Sequence, residues 1–369
     1  MNSIYRIFLG LCAAALLAVV IMLLMGYRAE VGPFAILFAA SFAMSVRVLP
    51  SLKGYSFTIW ILVGVTTAMF YPQYIVEIYR FQTKNLIIPL MQIIMFGMGT
   101  TMSLKNFIDV LKMPYAVLAG IIAQFSIMPL VGFTLALIAT NTFGVSKEIA
   151  AGIILIGCSP CGLASDVMNF IAGNNLALSI TLTASATIIA PVVTPLLMKL
   201  LAGTMVPIDF FQMMFTIIKI IIIPLTFGLT FHHFAYGKVK WLDRSLPKLS
   251  MAGIAVIIVV ITANGREGLM LVGPLLIAMA IIHNGFGYIL GYWLCRLVFR
   301  LDKRSCRTIA IDVGLQNGGL ASGIALQMGK IDTMGLFSAI FGAWMNISGS
   351  SLANWWHRRP VKETVTVKN

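Results

Sequence analysis

Charge is scarce in this chain, and acidic charge most of all. Aspartate and glutamate supply 12 of 369 residues, lysine and arginine 26, and charged residues make up 10%. Soluble domains are about 25% charged and about 45–50% apolar. Here 59% is hydrophobic and the mean hydropathy is +0.95. A water-soluble globular protein is excluded, and no polar stretch is long enough to be an attached soluble domain. Histidine is rare, at 4 residues, and the five cysteines (Cys12, Cys158, Cys161, Cys295 and Cys306) all fall in or near apolar stretches. Cys158 and Cys161 form a C-x-x-C, but no second cysteine pair or histidine pair completes a zinc site. The βαβ setting of a redox C-x-x-C is missing too, and no disulfide framework is implied.

What is abundant is apolar sequence. A spanning helix takes about 20 apolar residues, and apolar segments occur near 7–25, 31–46, 56–71, 85–102, 114–140, 149–172, 176–201, 210–231, 249–263, 268–299, 308–328 and 333–357. These predict an all-α polytopic membrane protein with twelve spans. A net charge of +14 invites a nucleic-acid partner, but its distribution points to the positive-inside rule instead. With both termini cytoplasmic, eighteen basic residues fall inside, including the clusters 238–248, 296–307 and 358–368; seven fall outside, and Lys219 lies mid-span. No nucleic acid is needed. Residues 7–25 follow Arg6 like a signal peptide, yet the run is long and Tyr27-Arg28-Ala29-Glu30 offers no small-residue cleavage site. It is expected to be a retained span. Trp355-Trp356-His357-Arg358-Arg359 reads as an aromatic belt meeting a basic cytoplasmic edge.

Two polar islands interrupt this pattern. Residues 158–170 read CSPCGLASDVMNF, inside the apolar stretch from Ile149 to Ala172. An acid at membrane centre costs at least ~2.5 kcal/mol on insertion scales, and Pro160 with Gly162 damages a helix. Irregular backbone survives at that depth only where protein buries it or water wets it. A broken helix facing the bundle interior is therefore expected, with Ser159, Ser165, Asp166 and Asn169 at the same depth. The second island holds Asp312, Gln316 and Asn317 beside Gly314, Gly318 and Gly319. Gly162-Leu163-Ala164-Ser165 of the first recurs as Gly319-Leu320-Ala321-Ser322 in the second. The island helices are the sixth and eleventh of twelve. Setting the first two spans aside, they become the fourth and ninth of ten, equivalent members of two five-helix repeats, and an odd-numbered repeat is inverted. Paired interrupted helices of this kind mark a transporter's binding site.

Gln124 lies within 114–140, and Ser179 and Thr183 share one helical face. Thr181, Ser185 and Thr187 extend the hydroxyl row along the same span, and such a row fits helix packing equally well. Asn346 and Ser348 mark the last span, Lys219 is either interior or snorkelling, and His283 is expected to pack with a satisfied ring. Carboxylate, amide, hydroxyl and freed carbonyl oxygens suit a hard cation, while half-helix N-termini can face an anion. That chemistry describes a cation-coupled secondary transporter.

The stretches Ile93-Ile-Met-Phe-Gly-Met-Gly, Ala123-Gln-Phe-Ser-Ile-Met-Pro, Gly157-Cys-Ser-Pro-Cys-Gly-Leu-Ala-Ser-Asp, Asp312-Val-Gly-Leu-Gln-Asn-Gly-Gly-Leu-Ala and Asn346-Ile-Ser-Gly-Ser resemble the bile acid:sodium symporter family, especially its bacterial members. The resemblance runs from about residue 56 to 357. It implies ten helices in two inverted repeats, about 56–205 and about 206–357, forming a panel and a core with two crossing unwound helices. Residues 1–50 would be an added N-terminal pair, 51–357 the symporter domain and 358–369 a cytoplasmic tail. It implies two Na⁺ sites. The first would use Ser165, Asp166, Ser179, Thr183 and Asp312. The second would use Gln124, Asp312, Gln316 and the carbonyls of Val313 and Leu315. Asn317, Asn346, Leu163 and Met345 would face the substrate. The implied activity is sodium symport of a small organic anion, bile-acid-like or pantothenate-like, in the bacterial inner membrane.

Asp166 stands where the family has Asn, Asp312 where it has Glu, Cys161 and Leu163 within its Pro-Gly-Gly-Thr, and Met345 where a His is frequent. Proton-coupled or uncoupled transport, and an intramembrane aspartyl protease using the two aspartates, are the alternatives. Two carboxylates are neutralised by two Na⁺, so an anionic substrate leaves excess negative charge unless Asp166 carries a proton. Transport is therefore expected to depend more steeply on pH than in an Asp166→Asn variant. Identical uptake profiles for the two proteins between pH 5.5 and pH 8 would reject this.

Overall fold

The computed structural model describes residues 3–27, 30–48, 56–102, 113–235 and 240–361. Arg28, Lys53, Lys105, Lys112, Lys238, Lys362 and Lys368, which enter the charge count above, lie outside the described residues, as does the tail from 362.

The twelve apolar segments correspond to twelve helical stretches among the described residues. They are α1 (Ser3–Leu24), α2 (Val31–Val48), α3 (Ser56–Phe70), a short α4 (Gln73–Val76) leading to α5 (Ile87–Thr101), and α6 (Pro114–Phe143). Next come α7 (Lys147–Cys158) and α8 (Leu163–Ala172), then α9 (Leu176–Ala202). The pair α10 (Phe210–Ile217) and α11 (Ile223–Ala235) is followed by α12 (Lys240–Asn264) and α13 (Arg266–Trp293). Finally α14 (Lys303–Gly314), α15 (Gly318–Gln327) and α16 (Met334–His357) complete the chain. Among the described residues, five helices are long and apolar enough to cross a membrane singly: 7–24, 114–143, 176–202, 210–234 and 266–298. The stretches 147–172 and 303–327 are each divided into two shorter helices.

Departures from the apolar boundaries have local causes. The α12 helix starts well before 249 because its first turns are polar, which hydropathy does not register. Likewise α14 starts at Lys303 because Asp302 caps it, its carboxylate accepting from the Arg304 and Ser305 amides at 2.9 and 3.0 Å. Between α10 and α11 the chain widens into a π-turn, Ile218–Ile222, closed by the Ile223 amide on the Ile218 carbonyl. Pro224 follows and has no N–H for the Ile220 carbonyl, so the wider turn absorbs the missing bond. Lys219 sits in this turn and is exposed, which favours its snorkelling reading. His283 is buried and packs: its Nε2 donates to the Met128 carbonyl at 2.9 Å, and Phe337 and Phe341 flank the ring. Its Nδ1 is buried without a hydrogen-bond partner, so the ring is only half satisfied, contrary to expectation.

The interior is held by close backbone approach. Helices α5 and α11 meet at Gly99 and Gly228, and α7 meets α6 where Gly157 sits on the Met128 carbonyl. Lipid tails are as apolar as leucine, so small residues that let helices touch drive association in a bilayer. Helix α1 packs on α2, and its apolar outer face (Leu16, Leu17, Ile21 and Leu24) is exposed, as a lipid-facing helix requires. A Cβ at Gly228 would collide with the Phe96 carbonyl, whereas at Gly273 it would meet nothing within 4 Å. Gly228→Ala is expected to cost about 1–3 kcal/mol by overpacking, read as a lower Tm of the purified protein. Gly273→Ala is expected to leave Tm unchanged.

Candidate functional site

Both islands break their helices, and the breaks meet. Ser146 caps α7 through the Ile149 amide at 3.4 Å, and the helix runs to Cys158. Pro160 ends it by forcing Ser159 into an extended conformation, φ −76° and ψ 150°. Residues 159–162 are extended, and α8 begins at Leu163. In the second half, α14 ends at Gly314 and α15 begins at Gly318, with Asn317 as N-cap accepting from the Leu320 amide at 3.0 Å. The unwound segments pair with each other. The Gly162 amide donates to the Leu315 carbonyl at 3.2 Å and the Asn317 amide to the Pro160 carbonyl at 2.8 Å, making an antiparallel bridge between Cys161 and Gln316. Two amides and two carbonyls freed by the breaks thus satisfy one another.

Side chains gather on this crossing from α6, α8, α9 and α14. Asp312 is 0% exposed. Its Oδ1 accepts from Ser179 Oγ at 2.8 Å and from Asn169 Nδ2 at 3.0 Å. Asp166, half-buried, accepts on its Oδ1 from the same Ser179 hydroxyl at 2.8 Å and from Thr183 Oγ1 at 3.2 Å. Ser165 lies 3.5 Å from Thr183, oxygen to oxygen. The five residues expected at the first cation site are therefore together. Gln124 Nε2 donates to the Ser159 carbonyl at 2.9 Å and to Gln316 Oε1 at 2.8 Å; Gln316 Nε2 donates to the Val313 carbonyl at 2.6 Å. The residues expected at the second site are also neighbours, though Val313 and Leu315 already use one lone pair each within the protein.

The donor set is short of protons. Ser179 has one hydroxyl hydrogen and two carboxylates at equal distance. Asp312 Oδ2 and Gln124 Oε1 are buried without a hydrogen-bond partner. An orphaned buried carboxylate oxygen is costly, and a cation removes that cost. All the surplus groups are oxygens, so a hard monovalent or divalent ion suits them better than a soft metal.

Beside the crossing lies a cavity of about 70 Å³. Leu163, Asn317, Met345 and Asn346 all line it. Its opposite wall is apolar, from Met91, Ile94 and Met95 of α5 and Ile257 and Ile258 of α12. Asn346 spends its amide on the Gly342 carbonyl of its own helix at 2.6 Å. Ser185 and Thr187 bond back to Thr181 and Thr183 carbonyls, which is packing. The residue missing from the sequence-based site is Asn169. Its Nδ2 reaches Ser179 Oγ at 2.9 Å, the Thr308 carbonyl at 3.2 Å and Asp312, while Asn174 donates to its Oδ1 at 2.8 Å. Its place one turn after Asp166 on α8 was the available signal.

A family model described as Sodium Bile acid symporter family matches residues 88–271. The protein named uncharacterized sodium-dependent transporter YocS of Bacillus subtilis (strain 168) is 38% identical over 327 residues, 88% of this chain and 98% of that protein. This chain belongs to the sodium bile acid symporter family. The probable sodium/metabolite cotransporter BASS1, chloroplastic, of Arabidopsis thaliana is 28% identical over 323 residues, 88% of this chain and 78% of that protein. The probable sodium/metabolite cotransporter BASS2, chloroplastic, of Oryza sativa subsp. japonica is 29% identical over 307 residues, 82% and 70% respectively. As a member of this symporter family the chain is an integral multi-pass membrane transporter and not an enzyme.

Asn169→Ala removes the amide shared by Asp312 and Ser179. It is expected to lower stability by about 1–3 kcal/mol, the cost of stranding buried acceptors. Thermal unfolding measures this, and an unchanged Tm would contradict the network.

Proposed function

We propose that the chain carries Na⁺ and a small organic anion across the membrane together, by alternating access. The observation that supports this best is the orphaned Asp312 Oδ2, at the one point shared by both expected sites. Ser165, Asp166, Ser179, Thr183 and Asp312 would hold the first ion. Gln124, Asp312, Gln316 and the second lone pairs of the Val313 and Leu315 carbonyls would hold the other. The names of the similar proteins, sodium-dependent transporter and sodium/metabolite cotransporter, agree with this reading.

The anion would lie in the adjoining cavity. Leu163 and Ala164 open α8, and Gly318 and Gly319 open α15; all four line that space. Two positive helix ends therefore converge where, among the described residues, no basic side chain lines the cavity, and an anion suits such a place. The apolar wall from α5 and α12 suits a hydrocarbon body. Small-molecule sites usually hold about 300–1,000 Å³, so the cavity of about 70 Å³ would have to widen for a bile-acid-sized or pantothenate-sized guest. Rocking of a panel containing α5 and α12 against a core containing α6–α9 and α13–α16 would do so. The equivalence of α7–α8 with α14–α15 supports a ten-helix inverted repeat, with α1 and α2 as the added pair, both termini cytoplasmic, in a bacterial inner membrane.

A shared-proton aspartyl dyad brings its oxygens to about 3 Å. Here the Ser179 hydroxyl intervenes between Asp166 and Asp312, which disfavours the protease reading. A ligand at a hundred times its Kd stabilises a protein by about 2.7 kcal/mol. Na⁺, but neither K⁺ nor choline, is expected to raise the Tm of the purified protein, and Asp312→Asn to abolish the rise. Equal Tm values in the three salts would sink the proposal.

A further inference from the structure

Gly314 ends α14 at the break, and its carbonyl is bonded from outside the helix. Asn284 of α13, 1% exposed, donates to it through Nδ2 at 2.8 Å. The Asn284 Oδ1 accepts from Ser348 Oγ of α16 at 2.6 Å, and that hydroxyl lies 3.1 Å from the Tyr288 hydroxyl. None of these three residues belongs to the site described above. Their arrangement parallels the other half, where Gln124 of α6 holds the Ser159 carbonyl. Each long helix ahead of a broken one thus sets an amide on a carbonyl at the break.

The two amides differ in what they do next. Gln124 keeps a free oxygen at the crossing, whereas Asn284 spends both ends on protein. What it grips is the residue between Val313 and Leu315. Glycine there has the widest backbone freedom of any residue, and the 314–315 peptide is held at its amide by the Ile311 carbonyl at 3.0 Å. Asn284, from α13, adds the hold on that peptide's carbonyl, and α16 backs it through Ser348. A Cβ on Gly287 would lie 3.0 Å from Gly314 Cα and 3.3 Å from the Val313 oxygen, and one on Gly349 would lie 3.0 Å from Leu315 Cδ2.

We infer that Asn284, anchored by Ser348 and Tyr288, is a positioning residue for the second cation site: by fixing the Gly314 peptide it aims the Val313 and Leu315 carbonyls. The inference rests on the two-site reading proposed above. It is a role through other groups; Asn284 touches no ion. Outer partners of metal ligands change affinity by about 10–100-fold when removed.

The test is thermal unfolding of the purified full-length protein, titrated with NaCl against choline chloride at constant ionic strength. Wild type is expected to show a Tm that begins to rise near the Na⁺ Kd and then climbs with log Na⁺ concentration at the slope of two bound ions. Asn284→Leu, which keeps the volume and loses the amide, is expected to move the onset of the second ion's contribution to about ten-fold higher Na⁺, leaving the slope of one ion below it. Ser348→Ala is expected to shift that onset in the same direction, and Ser348→Thr, which keeps the hydroxyl, to restore it. A merely structural role lowers the Tm without Na⁺ and leaves onset and slope unchanged; that result overturns the inference alone. No Na⁺ response in wild type overturns the two-site reading itself. Should Asn284→Leu fail to fold, Ser348→Ala and Tyr288→Phe decide the matter by the same onset.

Discussion

Two backbone hydrogen bonds, Gly162 to Leu315 and Asn317 to Pro160, are the constraint on which the rest depends. Peptide groups freed by a helix break cannot face hydrocarbon, where each unsatisfied group costs several kcal/mol. Pairing one break with another satisfies part of both at once, and the Gln124 and Asn284 amides take the Ser159 and Gly314 carbonyls. The pairing also forces segments far apart in sequence to a single point. Everything polar that gathers there, from Gln124 to Asn317, is brought by helices that begin or end at this bridge or pack against it.

The bridge has an electrostatic consequence. It leaves the first turns of α8 and α15 opening on one cavity, while the carboxylates of Asp166, itself in the first turn of α8, and Asp312 meet at the Ser179 hydroxyl. Positive helix ends and negative side chains thus gather around the same unwound backbone. Under the proposed symport, a cation at the carboxylates and an anion at the helix ends would each lower the cost of the other. Coupling between two ligands needs such a shared element. Asp312, which the proposal places in both cation sites, would be the side chain through which the three charges communicate.

Much of this was legible in the sequence, for identifiable reasons. Pro160, Gly162 and Gly314 in apolar surroundings signalled the breaks, since helix-breaking residues beside an acid have no inexpensive place in lipid. The faces carrying Ser179 and Thr183 followed from helical periodicity. The bridge itself was not legible, because hydrogen bonds between backbone groups leave no mark on side-chain identity. Asn169 was visible as a polar neighbour, but its three-way contact with Ser179, Thr308 and Asp312 depends on how α8 is rotated. The early start of α12 escaped a hydropathy reading because its first turns are polar. Asn284 and Tyr288, in a helix whose outward face is apolar, could not be told from packing residues until the Gly314 carbonyl was seen beneath them.

The central claim is that Asp166 and Asp312 converge on the crossing to hold alkali ions. Crystals grown in Na⁺ and soaked with Tl⁺, a monovalent substitute with strong anomalous scattering, test it most directly. The account requires anomalous density within bonding distance of the Asp312 carboxylate, flanked by Ser179 and the unwound residues of both halves, and its loss when excess Na⁺ is restored. Continuous helices through residues 158–163 and 314–318, or Tl⁺ density only at the protein surface, would contradict it.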